Sequence, residues 1–352
     1  MHIRNVGSDN GDLMHGGDIY RNEIKYDFSV NINPLGCPQK LKEAMVRAVE
    51  KVERYPDIRY EKLKNAIAAK YGVDKENVLV GNGASEIFMA VLGAFCPKKV
   101  LLAVPSFSGY EYAALAVGAE VIRHFLRRED DFRLKDDFIE SITDDVDCIM
   151  LASPNNPTGD IADIDIIKRI AEKGKLLILD ECFLPLTDRN KDSFIYKMTE
   201  NVCVVRSFTK SFAIPGVRLG YAVAGDAMMA QKISGCLSEW NVSIIAEEAG
   251  LAALEEENFL KESRDVIAAE RKYLSEEIAG MGFDVIPSSA DYILFGADGR
   301  KDLKTKLIEK KILIRDCSDY YGLENGWYRI AVRKHEDNVE LIKELKVIAD
   351  GT

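Results

Sequence analysis

The sequence has few of the residues that indicate a metal site, a disulfide framework or a membrane span. It contains four histidines in 352 residues, and these show no metal-ligand spacing. None of the seven cysteines forms a C-x-x-C pair, and several lie in apolar runs, which predicts reduced core thiols. No apolar run approaches the roughly 20 residues that cross a bilayer. We therefore predict neither a metal centre nor a membrane segment.

Positive charge is also scarce, with 47 lysines and arginines against 58 aspartates and glutamates and a formal net charge of −11. Nucleic-acid and anionic-membrane binders normally present a basic face, so both partner classes are disfavoured. An anionic small molecule remains possible, because a few arginines in a cleft outweigh a negative average. The first 30 residues are polar and partly acidic, unlike a signal peptide, and we predict a cytoplasmic globular protein.

Hydrophobic residues make up 47% of the chain, and their arrangement changes along it. Between about residues 41 and 245, short apolar runs alternate with helical patterns, which predicts a large α/β domain with a mainly parallel sheet covered on both faces. The apolar runs are 78–80, 100–104, 148–151, 176–179, 202–205 and 219–223. From about residue 246 to 352, a charged helical stretch (257–279) and several short strands predict a smaller α+β domain.

Candidate binding residues follow several of the apolar runs, at the edge of a parallel sheet where ligands bind. Gly83, Ala84 and Ser85 lie in a glycine turn that opens a helix, which indicates either a structural turn or a phosphate site. Phe107 follows the next strand and either closes the core or stacks on a planar cofactor. Asn156 lies in a proline-rich turn and could hold a phenolic oxygen, although the turn could also be a plain loop.

Two later strand ends carry charged residues. Asp180 ends a buried apolar strand, so its carboxylate either makes a local cap or ion pair or faces a cationic ring nitrogen. The segment 207–220 contains Ser-x-x-Lys, with Lys210, and Pro-Gly-x-Arg-x-Gly, with Arg218. A single lysine is normally a solvated surface charge. The ordered set of these signals is far more specific than any one of them.

In this order the motifs resemble those of the fold-type I pyridoxal-phosphate enzymes, the aspartate aminotransferase superfamily. The resemblance covers nearly the whole chain and implies a seven-stranded, mainly parallel sheet in the large domain. It further implies that an N-terminal segment, residues 1–40, joins the small domain and covers the active site.

The resemblance assigns roles to the candidate residues. Lys210 would bind pyridoxal phosphate covalently and move protons at the substrate Cα, while Asp180 would keep the pyridine nitrogen protonated. Phe107 would stack on the ring, and Asn156 would donate to its phenolic oxygen. The residues implied around the phosphate are Gly83, Ala84, Ser85, Ser207 and Arg218.

Tyr55 lies in Arg-Tyr-Pro-Asp and matches a family tyrosine that reaches the cofactor phosphate of the other subunit. The resemblance therefore implies a homodimer whose site is completed in trans. On the sequence alone, Tyr55 could equally be a core tyrosine.

Two groups in the superfamily fit the sequence, threonine-phosphate decarboxylases and histidinol-phosphate aminotransferases, and a non-catalytic cofactor-binding protein is a remote alternative. In either enzyme group, Arg315 and Arg329 would bind the acidic groups of a phosphorylated substrate. Each could also be an ordinary strand-end arginine.

The N-terminal motifs His-Gly-Gly and Asn-Ile-Asn-Pro-Leu-Gly resemble those of the decarboxylases. They imply that His15, Gly16 and Asn33 help to bind the substrate. Phe183 stands where the aminotransferases typically have a tyrosine, which also favours decarboxylation of threonine phosphate, a step of cobalamin biosynthesis. Transamination of histidinol phosphate is the alternative.

Overall fold

The computed structural model describes residues 16–297 and 300–350. A short strand, β1 (Tyr26–Asp27), is followed by the helices α1 (Gln39–Val49) and α2 (Glu61–Tyr71). Each helix buries one face, with small and aliphatic residues at helical spacing, against the rest of the chain.

A seven-stranded sheet forms the centre of the larger part of the molecule. Its strands are β2 (Val78–Gly81), β3 (Lys99–Val104), β4 (Glu120–Phe125), β5 (Cys148–Ala152), β6 (Leu176–Asp180), β7 (Val202–Ser207) and β8 (Gly220–Ala224). They lie in the order β2-β8-β7-β6-β5-β3-β4. β8 is antiparallel to both of its neighbours, and the other adjacent pairs are parallel. The predicted mainly parallel sheet is confirmed.

β4 is the strand of this sheet that the apolar runs do not predict. It lies at the edge of the sheet, where Glu120 and Phe125 are exposed and the four residues between them are only partly buried. An edge strand has one paired side and less cover, so its sequence need not be continuously apolar.

Helices cover both faces of the sheet. They are α3 (Ala84–Phe95), α4 (Ser108–Ala116), α5 (Asp136–Glu140), α6 (Ile164–Ala171), α7 (Phe208–Ser211), α8 (Ala227–Ser234) and α9 (Ile244–Leu254). Neighbouring residues of β5, such as Ile149 and Met150, belong to two different buried apolar clusters. This alternation is what a sheet buried on both faces requires.

The C-terminal part forms a second, smaller structure around its own apolar cluster. Its elements are α10 (Glu257–Gly280), β9 (Asp284–Val285), β10 (Tyr292–Gly296), α11 (Leu303–Glu309), β11 (Ile312–Leu313), β12 (Arg315–Asp316), β13 (Trp327–Ala331) and α12 (His335–Asp350). Four strands form an antiparallel sheet in the order β12-β13-β10-β9. The predicted smaller α+β structure and the helix over 257–279 are thereby confirmed.

The N-terminal segment is attached to this smaller structure. β1 pairs in parallel with β11, and the Ala331 N–H at the end of β13 donates to the Phe28 carbonyl at 2.8 Å. The predicted domain boundaries at residues 40 and 245 both fall inside helices, α1 and α9. Since α9 packs against α1 and α2, we propose that the large domain continues through α9 and that the small domain begins at α10.

Among the helices of residues 16–297 and 300–350, none is both long enough and apolar enough to span a membrane.

Candidate active site

A cavity of about 400 Å³ lies where β6 and β7 end, between the large sheet and the smaller C-terminal structure. Most of the predicted site residues line it. Those that do are Gly16, Ala84, Ser85, Phe107, Asn156, Asp180, Ser207, Lys210, Arg218, Arg315 and Arg329. The position agrees with the rule that α/β sheets bind ligands beyond the carboxyl ends of their strands.

One end of the cavity brings a helix N-terminus and a guanidinium together. Gly83 has φ +78° and directly precedes α3, and a Cβ at this position would lie 2.5 Å from Arg218 Nη2. A Cβ at Gly220 would lie 2.8 Å from the Ala84 nitrogen. The backbone therefore approaches closely at positions where only glycine fits. Unpaired N–H groups of a helix N-terminus beside an arginine form an anion-binding arrangement.

Lys210 lies in the short helix α7, which begins directly after β7. The Ser207 hydroxyl caps this helix by accepting the Thr209 N–H at 3.1 Å, and it also lies 2.7 Å from the Thr209 hydroxyl. The Lys210 side chain lines the cavity, and burial lowers the pKa of its amine. The negative charge of Asp291 opposes this shift, while Arg329 adds to it. A lowered pKa favours the neutral, nucleophilic amine.

Asp180 is held in place by two hydrogen bonds at the end of β6. Its Oδ2 accepts the Tyr110 phenol at 2.6 Å, and its Oδ1 accepts the Cys182 N–H at 2.8 Å. The carboxylate is buried, and burial raises the pKa of Asp180, whereas the hydrogen bonds from Cys182 and Tyr110 lower it. Asp180 is therefore an oriented acceptor beside the cavity rather than a surface cap.

Aromatic rings form two walls of the cavity. Phe107 lies edge-on to Tyr110, with ring centroids 5.5 Å apart. Phe183 lies with its ring centroid 5.9 Å from Lys210 Nζ and packs edge-on against Tyr292 at 5.0 Å. Because position 183 is phenylalanine, the ring beside the lysine carries no hydroxyl that could donate a hydrogen bond.

Arg329 lies at the other end of the cavity, on β13. Its Nη1 donates to Asn156 Oδ1, and its Nη2 donates to the Ser29 carbonyl at 2.8 Å. Its Nε is buried and has no hydrogen-bond partner within the described residues. Both of these partners are neutral oxygens. The charge of Arg329 is thus available to an anion in the cavity.

Arg315, on β12, also lines this end but has a charged partner. Its Nη2 donates to both carboxylate oxygens of Asp319, at 2.8 and 2.6 Å. Its guanidinium lies 5.3 Å from the centre of the Tyr320 ring, and Tyr320 also lines the cavity.

A model of the class I and II aminotransferases matches residues 23–345 of the sequence. The chain belongs to this family. Class I and II aminotransferases use pyridoxal 5'-phosphate, and the chain is therefore a pyridoxal-phosphate enzyme.

Relatives in this family include both groups that the sequence suggests. The chain is 34% identical to the threonine-phosphate decarboxylase of Salmonella typhimurium over 333 residues, which cover 92% of this chain and 91% of that protein. It is 33% identical to histidinol-phosphate aminotransferase 2 of Archaeoglobus fulgidus, with 92% of each chain covered. The structure of a histidinol-phosphate aminotransferase from Clostridium acetobutylicum superposes with a TM-score of 0.87 at 30% identity, covering 93% of this chain and all of that one.

The cavity fits the cofactor of this family on three counts. The α3 N-terminus and Arg218 suit a phosphate, the oriented carboxylate of Asp180 suits a protonated ring nitrogen, and the buried Lys210 suits an aldehyde. Within the part of the chain that the structure describes, no group of three or more histidine, cysteine, aspartate or glutamate side chains is placed to hold a metal ion.

Asn33 is not placed as predicted. Its side-chain amide donates to the Ser211 carbonyl at 2.8 Å and to the Ser263 hydroxyl at 2.7 Å, and its oxygen accepts the Leu35 N–H at 3.0 Å. Asn33 does not line the cavity, because these bonds hold its side chain inside the protein. The prediction of a direct substrate contact is therefore wrong, and Asn33 instead joins the N-terminal segment to α7 and α10.

Tyr55 also lies away from the cavity of its own chain. Its side chain is 77% exposed and packs on Trp240, with ring centroids 4.8 Å apart. The alternative of a core tyrosine is wrong, and the role in trans stays a prediction. His15 lies outside the described residues.

Sequence reasoning missed Tyr110 and Asn31. Tyr110 is the hydrogen-bond donor to Asp180. From the sequence alone, a tyrosine on a helix that covers a sheet is normally interpreted as a core residue. Asn31 lines the cavity and is 2% exposed, and its Oδ1 has no hydrogen-bond partner in the described chain. The Asn-x-Asn motif gave no signal that separates the two asparagines, because residues two apart in an extended segment face the same side.

Proposed function

We propose that this enzyme decarboxylates a phosphorylated amino acid, L-threonine O-3-phosphate, to (R)-1-amino-2-propanol phosphate. Arg315 and Arg329 line the substrate end of the cavity and support a substrate with two anionic groups. The observation that carries decarboxylation is Phe183, whose ring lies beside Lys210 without a hydroxyl. Threonine phosphate has two anionic groups, a carboxylate and a phosphate, flanking the amine. Histidinol phosphate carries only the phosphate, but the same two arginines would also match the two carboxylates of its amino-group acceptor, 2-oxoglutarate.

When bound, pyridoxal phosphate supplies an aldehyde for the substrate amine and a conjugated ring that accepts the electron pair released at Cα. Gly83, Ala84, Ser85, Ser207 and Arg218 would hold its phosphate. Asp180 would accept a hydrogen bond from the ring nitrogen, and Phe107 would pack on one face of the ring. Since Asn156 Oδ1 accepts from Arg329, its Nδ2 is directed to donate elsewhere, and we assign it to the phenolic oxygen.

The chain's own residues would then select which bond at Cα breaks. Decarboxylation needs the substrate carboxylate, and not the Cα hydrogen, held at the reacting position, and Arg329 and Asn31, which line the cavity, would hold it there. Lys210 would deliver the proton that replaces the lost carbon dioxide at Cα. Arg315 would bind the phosphate, and Gly16 lines the same cavity. A role of His15 in substrate binding stays a prediction. In this way the residues orient both anionic groups.

The absence of a hydroxyl at Phe183 also supports decarboxylation. A second function, transamination of histidinol phosphate, is favoured by the structural match to the Clostridium acetobutylicum aminotransferase. We further propose that the enzyme acts in the cytoplasm, in cobalamin biosynthesis.

A direct assay separates the two functions. The holoenzyme given L-threonine O-3-phosphate should release one carbon dioxide per aminopropanol phosphate formed, with no amino-group acceptor present. Lys210→Ala should lower this rate by about 10⁴-fold, because both covalent binding and proton transfer are lost. Transfer of the amino group of histidinol phosphate to 2-oxoglutarate, without carbon dioxide release, would establish the second function instead.

We also propose a homodimer in which Tyr55 reaches the cofactor phosphate of the other subunit. The exposed Tyr55 lies near other exposed apolar side chains of the same region, including Val49, Val52 and Ile58. Apolar surface of this kind is typical of an interface. Light scattering of the holoenzyme should give twice the chain mass, and Tyr55→Ala should weaken cofactor retention. A monomer that retains the cofactor would contradict the proposal.

A further inference from the structure

Arg315 lines the substrate end of the cavity although a carboxylate already occupies part of its guanidinium. Asp319 lies four residues further along the chain, and both of its oxygens accept from Nη2. The Arg315 side chain is 9% exposed, whereas that of Asp319 is 31% exposed. The ion pair therefore has a buried cation and an anion that reaches solvent.

Arg329, the other arginine at the substrate end of the cavity, differs from Arg315 in its hydrogen-bond partners. Arg329 is bonded to an amide oxygen and a backbone carbonyl, neither of which carries a charge. A substrate anion adds to Arg329 without replacing a charged hydrogen-bond partner, although the buried Asp291 carboxylate also attracts the charge of Arg329. At Arg315, a substrate anion meets a guanidinium whose charge Asp319 has already offset.

We propose that Asp319 is an internal competitor that weakens the binding of the substrate's phosphate to Arg315. This inference rests on the proposed function, which makes Arg315 the phosphate site. The incoming phosphate displaces the carboxylate of Asp319, which can turn to solvent at small cost because it is already partly exposed. When the phosphate leaves, Asp319 returns to Arg315.

Such a residue suits a reaction in which substrate and product carry the same phosphate. An arginine without a counter-ion would bind the product as firmly as the substrate and slow its release. Asp319 raises the free energy of the phosphate-bound enzyme equally for substrate and product. The product is therefore released sooner, which favours turnover.

The test measures ligand affinity rather than turnover. The holoenzyme is titrated with phosphoethanolamine and with ethanolamine at constant pH, following the visible absorbance of the cofactor. The two amines differ only in the phosphate, and neither has a carboxylate to lose. Asp319→Asn keeps the side-chain shape and removes its charge. It should tighten phosphoethanolamine binding by roughly 2- to 5-fold, the upper part of the range for a partly exposed ion pair, and leave ethanolamine binding unchanged.

Two matched variants make the result specific. Asp316→Asn removes the same charge from a residue whose side chain accepts the Ser318 N–H rather than pairing with Arg315. It should change phosphoethanolamine affinity by less than about 2-fold. In an Arg315→Gln background, Asp319→Asn should give no gain, because the competitor acts only through this arginine.

The inference is overturned if Asp319→Asn leaves phosphoethanolamine affinity unchanged or weakens it, or if the gain persists in the Arg315→Gln background. Failure of the proposed function gives a different result, the absence of carbon dioxide release from L-threonine O-3-phosphate. If Arg315 is not the phosphate site, Arg315→Gln alone does not weaken phosphoethanolamine binding relative to ethanolamine binding.

Discussion

The two ends of the cavity are built in different ways. At the cofactor end, Ser207, Lys210 and Arg218 come from one stretch of twelve residues, and Ser207 caps the helix that carries Lys210. At the substrate end, Arg329 bonds to the Ser29 carbonyl, 300 residues away in the sequence. The first end is organised by local bonds, and the second by contacts between distant segments.

The two ends of the cavity also differ in the groups that surround their arginines. At the cofactor end, Arg218 is exposed and its Nη1 donates to the neutral Pro215 carbonyl at 3.1 Å, so its charge can face a permanently bound anion. The substrate end balances one arginine with Asp319 and leaves the other beside neutral oxygens, as a group that binds and releases ligands in each turnover requires. Three experiments would sharpen or break this contrast.

The largest effect is expected from removing one arginine at each end. Arg329→Gln should lower kcat/KM by about 10²-fold or more while the cofactor stays bound, because a buried charge contact to substrate is lost. Arg218→Gln should instead weaken cofactor retention, and added pyridoxal phosphate should restore part of the activity. Dialysis followed by visible absorbance and steady-state kinetics measures both.

Arg333→Gln is the matched control, because Arg333 bonds to Asp337 and the Asp27 carbonyl and does not line the cavity. It should retain activity and cofactor. If Arg218→Gln and Arg329→Gln released the cofactor to the same extent, the division of the cavity into two ends would be incorrect.

A smaller effect is expected at Tyr110. The Tyr110 hydrogen bond favours ionised Asp180 and so lowers its pKa. Tyr110→Phe removes this bond, and the pKa of Asp180 should rise. Since we assign the working state to the carboxylate, the acidic limb of the kcat profile should move to higher pH by about one unit.

Tyr112→Phe, at an exposed position of the same helix, should leave the profile in place. An unchanged acidic limb in Tyr110→Phe would show that another group sets it.

The smallest effect concerns Asp291, whose two oxygens are buried without hydrogen-bond partners among residues 16–297 and 300–350. Burial raises its pKa to about 6, against the attraction of Lys210. The folded protein therefore binds this proton more tightly than the unfolded chain, and stability falls as pH rises from about 4 to 6. Asp291→Asn should stabilise the holoenzyme by about 2 kcal/mol at pH 8 and by less at pH 5.

Thermal unfolding at pH 5 and at pH 8 measures this change in stability. Asp144→Asn, at an exposed position, is the control. An equal change at the two pH values would show that the charge of Asp291 is not responsible.

The sequence predicted the cofactor end better than the substrate end. Asp180 and Ser207 end buried strands and Lys210 follows β7, so their place at the sheet edge follows from strand order. Arg218 lies at this edge because β8, which it precedes, is antiparallel to β7. β4 was missed because an edge strand lacks a continuous apolar run.

The substrate end depends on how an irregular segment of the chain bends, because in a regular extended segment residues two apart would face the same side. Asn31 and Asn33 are two residues apart in one motif, yet one lines the cavity and the other is bonded to Ser211 and Ser263. Asp319 could be recognised only once the turn after β12 had placed it against Arg315. Composition and periodicity carry no such information.

The bonds of the N-terminal segment have a mechanical consequence. Phe28 is tied to the end of β13 through the Ala331 N–H, and the Asn33 N–H is tied to the Lys210 carbonyl at 3.0 Å. Only the four residues 29–32 separate these two anchored residues, so a short segment links the strand bearing Arg329 to the helix bearing Lys210. Any widening of the gap between the two must be accommodated by backbone rotation at residues 29–32, so this short tether limits how far the cavity can open.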